Sequence, residues 1–205
     1  MREAILNHGY RNIDTATIYG NEEAIGEALQ ECFAAGIKRE DVTITTKLWQ
    51  SDKADVEGAL RLSLKKLQLE YIDLYLIHWM VPVMVWEDAE PIKNTPTHKV
   101  WAELERLADL GLIKNLGVSN CTVPMLLDLW SYARIKPVIN QVELHPYFVQ
   151  KDYVAFNAKL GVKVQAYAPL ASGQWEHKAE HLKSLNLFEE PVIKALAAKH
   201  GKTAG

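Results

Sequence analysis

Apolar and polar positions along this chain follow two patterns that take turns. Short runs rich in β-branched residues, YRNIDTA (10–16), VTITTK (42–47), IDLYLIH (72–78), IKNLGVS (113–119), PVINQVE (137–143) and VKVQAYA (162–168), read as six strands. Between them, EEAIGEALQECF, ADVEGALRLSLKKL, HKVWAELERLADL, VPMLLDLWSYA and DYVAFNAKL set apolar residues three and four apart with polar residues opposite, the spacing of amphipathic helices. Strand and helix therefore alternate, which predicts βα units around a parallel sheet. Gly111 and Gly161 stand just past two of the helices, where a left-handed residue closes the last turn. No linker rich in Ser, Gly or Pro divides the chain, so residues 1–205 are expected to form a single domain. The two long irregular segments, MVPVMVWEDAEPIKNTP and ASGQWEHKAEHLKSLN, both follow strands, the usual place for chemistry in α/β proteins.

Such a sheet is either open and doubly wound or part of an eight-stranded barrel. The open nucleotide-binding sheet calls for a Gly-rich turn after its first strand, and no GxGxxG is present; Gly26 and Gly58 fall inside predicted helices. Polar residues collect at the carboxyl ends of the predicted strands: Asp14, Lys47, His78, Ser119 with Asn120, Gln141 and Tyr167. A barrel delivers those ends to one mouth, which makes it the expected architecture.

Composition narrows the functional classes. With 48% hydrophobic and 24% charged residues the chain has ordinary globular make-up, and a net charge of −3 offers no basic surface for nucleic acid or an anionic membrane. Cys32 and Cys121 are too few for a disulfide framework and match no zinc spacing, so reduced thiols and a cytoplasmic location are expected. No apolar run approaches the roughly 20 residues of a membrane span, and MREAILNHGY lacks the apolar centre of a signal peptide. HKAEH (177–181) has the H-x-x-E-H form of some zinc peptidases without their remaining context, and no metal is expected. HGKTAG (200–205) lacks the upstream glycine of a phosphate-binding loop and reads as helix interior.

Asp14 and Tyr19 in NIDTATIYGNE, Lys47 in ITTKLW, His78 in DLYLIHW, then GVSN, NQVELHP and QAYAPL, together resemble the aldo-keto reductase family, in order and through nearly the whole chain. The resemblance implies a (β/α)8 TIM barrel of which this chain holds six of the eight strands, the first and last missing. It also implies an NAD(P)H-dependent oxidoreductase that reduces aldehydes or ketones to alcohols. Tyr19 would be the general acid. A phenol ordinarily titrates near pH ~10, and the ammonium of Lys47, held by Asp14, would lower that value, while His78 would orient the carbonyl oxygen.

On the cofactor side, the resemblance assigns Ser119, Asn120 and Gln141 to the nicotinamide carboxamide, Tyr167 to stacking on the ring, and Leu170 and Ser172 to the pyrophosphate loop. That loop departs from the family at Ala168, where a serine is common. Trp49, Trp79 and Trp86 would wall the pocket for a small-molecule carbonyl substrate, whereas Trp101 and Trp130 lie on apolar helix faces and are expected in the core. NADP is the implied cofactor and NAD remains open, as does oligomeric state. An alternative reading is a nucleotide-binding or interaction subunit with little turnover, or a fragment of the reductase.

Overall fold

The computed structural model describes residues 1–81, 95–171 and 186–205. Six parallel strands, β1 (Asn12–Asp14), β2 (Thr43–Leu48), β3 (Ile72–Ile77), β4 (Ile113–Ser119), β5 (Ile139–Glu143) and β6 (Lys163–Tyr167), lie side by side in chain order. Helix α1 (Arg2–His8) precedes them. Helices α2 (Glu22–Ala34), α3 (Val56–Leu67), α4 (Thr97–Asp109), α5 (Val123–Tyr132) and α6 (Lys151–Lys159) carry the successive crossovers, and α7 (Pro191–His200) follows β6. All six strands stand within the runs expected from the sequence or one residue beyond them. β1 is the most reduced, with only three residues in the ladder, Asn12 opposite Thr43 through Asp14 opposite Thr45.

Alternation along the strands separates two faces. Ile44, Leu48, Tyr75, Ile77, Leu116 and Val118 join one apolar cluster with Leu29, Leu60, Leu67, Trp101, Leu104 and Leu126 from the helices. Thr45, Lys47, Leu74, Leu76, Gly117 and Ser119 alternate with those positions and so face the concave side. Gly117 is required there, since a Cβ would lie 2.6 Å from Leu76 Cδ2 and 2.9 Å from the Ile139 carbonyl oxygen. Curvature is visible in one long-range contact: Gln141 on β5 donates through Nε2 to Asp14 Oδ2 on β1 at 2.7 Å, across the concave face. The six strands therefore form a curled half-barrel with helices outside. Of the described strands, β1 and β6 each pair on one side, and β6 is correspondingly less buried than β3.

Helix ends follow local chemistry. Asp55 caps α3 by accepting from the Gly58 amide at 2.9 Å, and Gly111 and Gly161 take the positive φ expected after α4 and α6. One expectation fails at the C-terminal end. HGKTAG is not helix interior: α7 stops at His200, because Gly201 adopts φ 60° and the Lys202 amide turns back to the Ala197 carbonyl at 2.9 Å. Trp101 is buried as expected and donates through Nε1 to the Ile135 carbonyl at 3.0 Å, and Trp130 packs against the same core. Both cysteines are free and buried. No helix among the described residues is long and apolar enough to cross a membrane.

Candidate active site

The polar strand ends converge as the barrel geometry requires. Lys47 is fully buried near the end of β2, its Nζ bonded to Asp14 Oδ1 and donating to the Thr15 carbonyl at 2.8 Å. A buried ammonium is tolerable only with such partners. Burial lowers its pKa from the ordinary lysine value, and the Asp14 carboxylate opposes that shift. Tyr19 closes a 3-10 turn, Thr17–Tyr19, directly after β1, with its ring centroid 5.1 Å from Lys47 Nζ. The turn is anchored by Thr17 Oγ1, which donates to the Lys47 carbonyl at 3.0 Å.

His78 follows β3 and completes the group. Its ring meets Tyr19 edge-on at 5.7 Å between centroids and Trp49 at 5.1 Å. Burial first, and the Lys47 charge second, push His78 down to about 4, so the imidazole is neutral through the physiological range. Nδ1 is buried with no partner among the described residues.

One expectation about Tyr19 changes. Burial and the Asp14 carboxylate raise its pKa above the usual phenol value, so the net shift runs opposite to the one expected from Lys47. The physical reason is removal of the phenol from water first and the nearby Asp14 charge second, both of which disfavour the phenolate. Tyr19 is thus a protonated phenol, about half exposed at the mouth.

A second cluster lies beside the first. Ser119 Oγ donates to the Gln141 carbonyl at 2.9 Å, and Asn120 donates to the His78 carbonyl at 3.1 Å and to Ser119 Oγ at 3.2 Å. Asn120 sits at φ 51°, a left-handed conformation that asparagine tolerates better than most residues and that turns its side chain back over the strand ends. Tyr167 donates to Asn120 Oδ1 at 3.1 Å. Gln141 joins the two clusters, since its backbone carbonyl accepts from Ser119 Oγ while its Nε2 donates to Asp14 Oδ2 and, at 3.2 Å, to Gln165 Oε1. A cavity of about 270 Å³ opens between Trp79, Asn120, Val142, Phe148 and Tyr167.

Trp49 flanks His78, and Trp79 lines that cavity. Leu170 is exposed in the turn after β6, where Ala168 and Ala171 both adopt positive φ. Trp86, Ser172 and the HKAEH segment lie outside the described residues. No group of three His, Cys, Asp or Glu able to hold a metal occurs among the described residues. Sequence reasoning missed Gln165, which sits two positions before Tyr167 on the same strand face. The period of two was the available signal.

The aldo/keto reductase family model matches residues 1–204. The chain belongs to the aldo/keto reductase family. It is 42% identical over 212 residues to aldo-keto reductase family 1 member A1 of Rattus norvegicus, covering 97% of this chain and 64% of that protein. It is 41% identical over 217 residues to aldose reductase B of Dictyostelium discoideum, again over 97% of this chain and 66% of the relative. Among solved structures, the aldose reductase of Schistosoma japonicum superposes with a TM-score of 0.85 at 35% identity, over 99% of this chain and 66% of that one. This aldo/keto reductase chain thus spans about two thirds of the length of the relatives it matches, and its curled sheet corresponds to part of their (β/α)8 fold.

Proposed function

We propose that this protein is an NADPH-dependent reductase of aldehydes or ketones, with Tyr19 as proton donor. The observation that carries the reading is the convergence of Asp14, Tyr19, Lys47 and His78, drawn from three strand ends and one turn, at one mouth of the sheet. A binding protein has no chemical need for that set.

The second cluster fits a nicotinamide nucleotide. A carboxamide both donates and accepts, and Ser119, Asn120 and Gln141 offer hydroxyl and amide groups of both kinds within one hydrogen-bonded patch. Tyr167 presents a half-buried ring beside them, and Leu170 with Ser172 would follow the pyrophosphate. When bound, NADPH supplies the hydride that adds to the carbonyl carbon. Neutral His78 donates one N–H to the carbonyl oxygen, which aligns the substrate and stabilises charge as it builds there. Tyr19 gives that oxygen its proton, and Lys47, fixed by Asp14, stabilises the phenolate that remains. Trp49 and Trp79 keep the substrate flank apolar and exclude water.

The test is NADPH oxidation with a simple aldehyde. Tyr19→Phe is expected to lower turnover by about 10²- to 10⁴-fold while cofactor affinity survives. Undiminished turnover would remove Tyr19 from the acid role. NADPH binding without any Tyr19-dependent turnover would instead assign a nucleotide-binding subunit.

A further inference from the structure

The strand that delivers His78 leaves the sheet abruptly. The His78 amide makes the last ladder bond, to the Leu48 carbonyl at 3.1 Å, and the next residues have no neighbouring strand to satisfy their backbone groups. Two of their carbonyls are taken up by one ammonium, and the Val81 carbonyl also accepts a long contact of 3.5 Å from Gln50 Nε2. Lys53 Nζ donates to the Trp79 carbonyl at 2.7 Å and the Val81 carbonyl at 2.9 Å. The residue is 4% exposed, and the hydrogen bonds of its ammonium among the described residues go to carbonyls rather than to a carboxylate. An ion placed so, without a counter-ion, costs stability, and burial lowers its pKa to about 8. A position that bears such a cost calls for a geometric reason.

That reason lies in the element carrying Lys53. The 3-10 turn Gln50–Ala54 follows directly on Trp49, whose ring meets His78 edge-on, and its Lys53 holds the backbone of Trp79, the residue after His78, which lines the cavity beside Asn120 and Tyr167. The same five-residue turn therefore controls both tryptophan flanks of the candidate pocket. We propose that Lys53 is a positioning residue that sets the spacing of Trp49 and Trp79 about His78, and thereby favours flat aryl carbonyl compounds over short aliphatic ones.

The inference rests on the reductase reading for its substrate arm but not for its structural arm. Lys53→Met in the full chain keeps the apolar stem and removes both donors. Amide exchange of residues 78–81 should then quicken at least about tenfold, because the Trp79 carbonyl loses its partner and the Val81 carbonyl keeps only the long contact from Gln50. The ratio of kcat/KM for benzaldehyde over propanal should fall about tenfold, through KM, with NADPH affinity unchanged. Lys53→Arg, which keeps a long charged donor able to serve two carbonyls, should restore most of the ratio. Should the Met variant be insoluble, Lys53→Gln, too short to reach both carbonyls, carries the same comparison.

Unchanged exchange, an unchanged ratio, or equal losses on both aldehydes would overturn the proposal. If the wild-type chain turns over no carbonyl compound, the reductase reading fails separately. Exchange at residues 78–81 and the affinity for benzyl alcohol, measured by titration calorimetry, then decide the clamp: about tenfold weaker binding in Lys53→Met supports it, and equal binding overturns it.

Discussion

At the residue scale, the site is a compact charge arrangement around one buried ammonium. Lys47 is held by Asp14 and the Thr15 carbonyl, so removing the carboxylate strands a buried cation. Asp14→Ala is expected to destabilise the fold by roughly 2–3 kcal/mol, below the range for a fully buried pair because the Asp14 side chain is 37% exposed. Urea denaturation at neutral pH measures this. His78 gives an acid limb of opposite origin. Its pKa falls from the usual 6.5 to about 4 on folding, so between those values the unfolded chain binds the extra proton. Stability from this group is complete above about pH 6.5 and declines as pH falls towards 4. A His78→Asn variant should show a flatter dependence of Tm on pH across that window. Lys47 at a strand end and Tyr19 in the segment just beyond one were legible as candidates because their positions coincide with family wording. The direction of the Tyr19 shift was not, since it depends on how far folding removes the ring from water and on the Asp14 carboxylate beside it.

At the scale of elements, the helices are placed by close approach as much as by apolar stripes. Gly26 in α2 lies against α3, where an added Cβ would meet the Lys66 carbonyl oxygen at 2.3 Å and the Leu67 carbonyl carbon at 2.8 Å. Backbone cannot yield as a flexible side chain does, so Gly26→Ala should cost about 1–3 kcal/mol despite alanine's better helix propensity. A drop in Tm with little change in helical circular dichroism would verify it. The amphipathic period gave the helix positions but showed nothing of this contact. Elements whose boundaries depend on tertiary pairing shifted most: β1 keeps three residues of its seven-residue run, because its ladder is limited by β2 alone. The end of α7 depended on the conformation of one residue, Gly201. Lys53 shows the same limit in a functional setting, because a lysine in a polar turn, SDKAD, carries no sign that its ammonium lies under the next strand's exit.

At the scale of the molecule, the concave face links residues far apart in sequence through Gln141. Its amide joins β1 to β5 and couples the Asp14–Lys47 pair to the cluster proposed for the nicotinamide. Gln141→Leu should therefore act on both sides at once, weakening NADPH binding about tenfold and lowering stability by about 1 kcal/mol through the lost bond to Asp14. Fluorescence titration with NADPH, alongside denaturation of the same variant, tests the coupling. A loss confined to one measurement would separate the two clusters. The sequence by itself determined the alternation of strand and helix, the face each strand turns inward, and the residue types at the strand ends, because periodicity and local chemistry are properties of neighbouring residues. Only the tertiary structure decided which of those residues meet. Curvature of the sheet brings Gln141 onto Asp14, and burial fixes the charges of Lys47, Lys53 and His78, since distance across a curled sheet and removal from water exist only once the chain has folded.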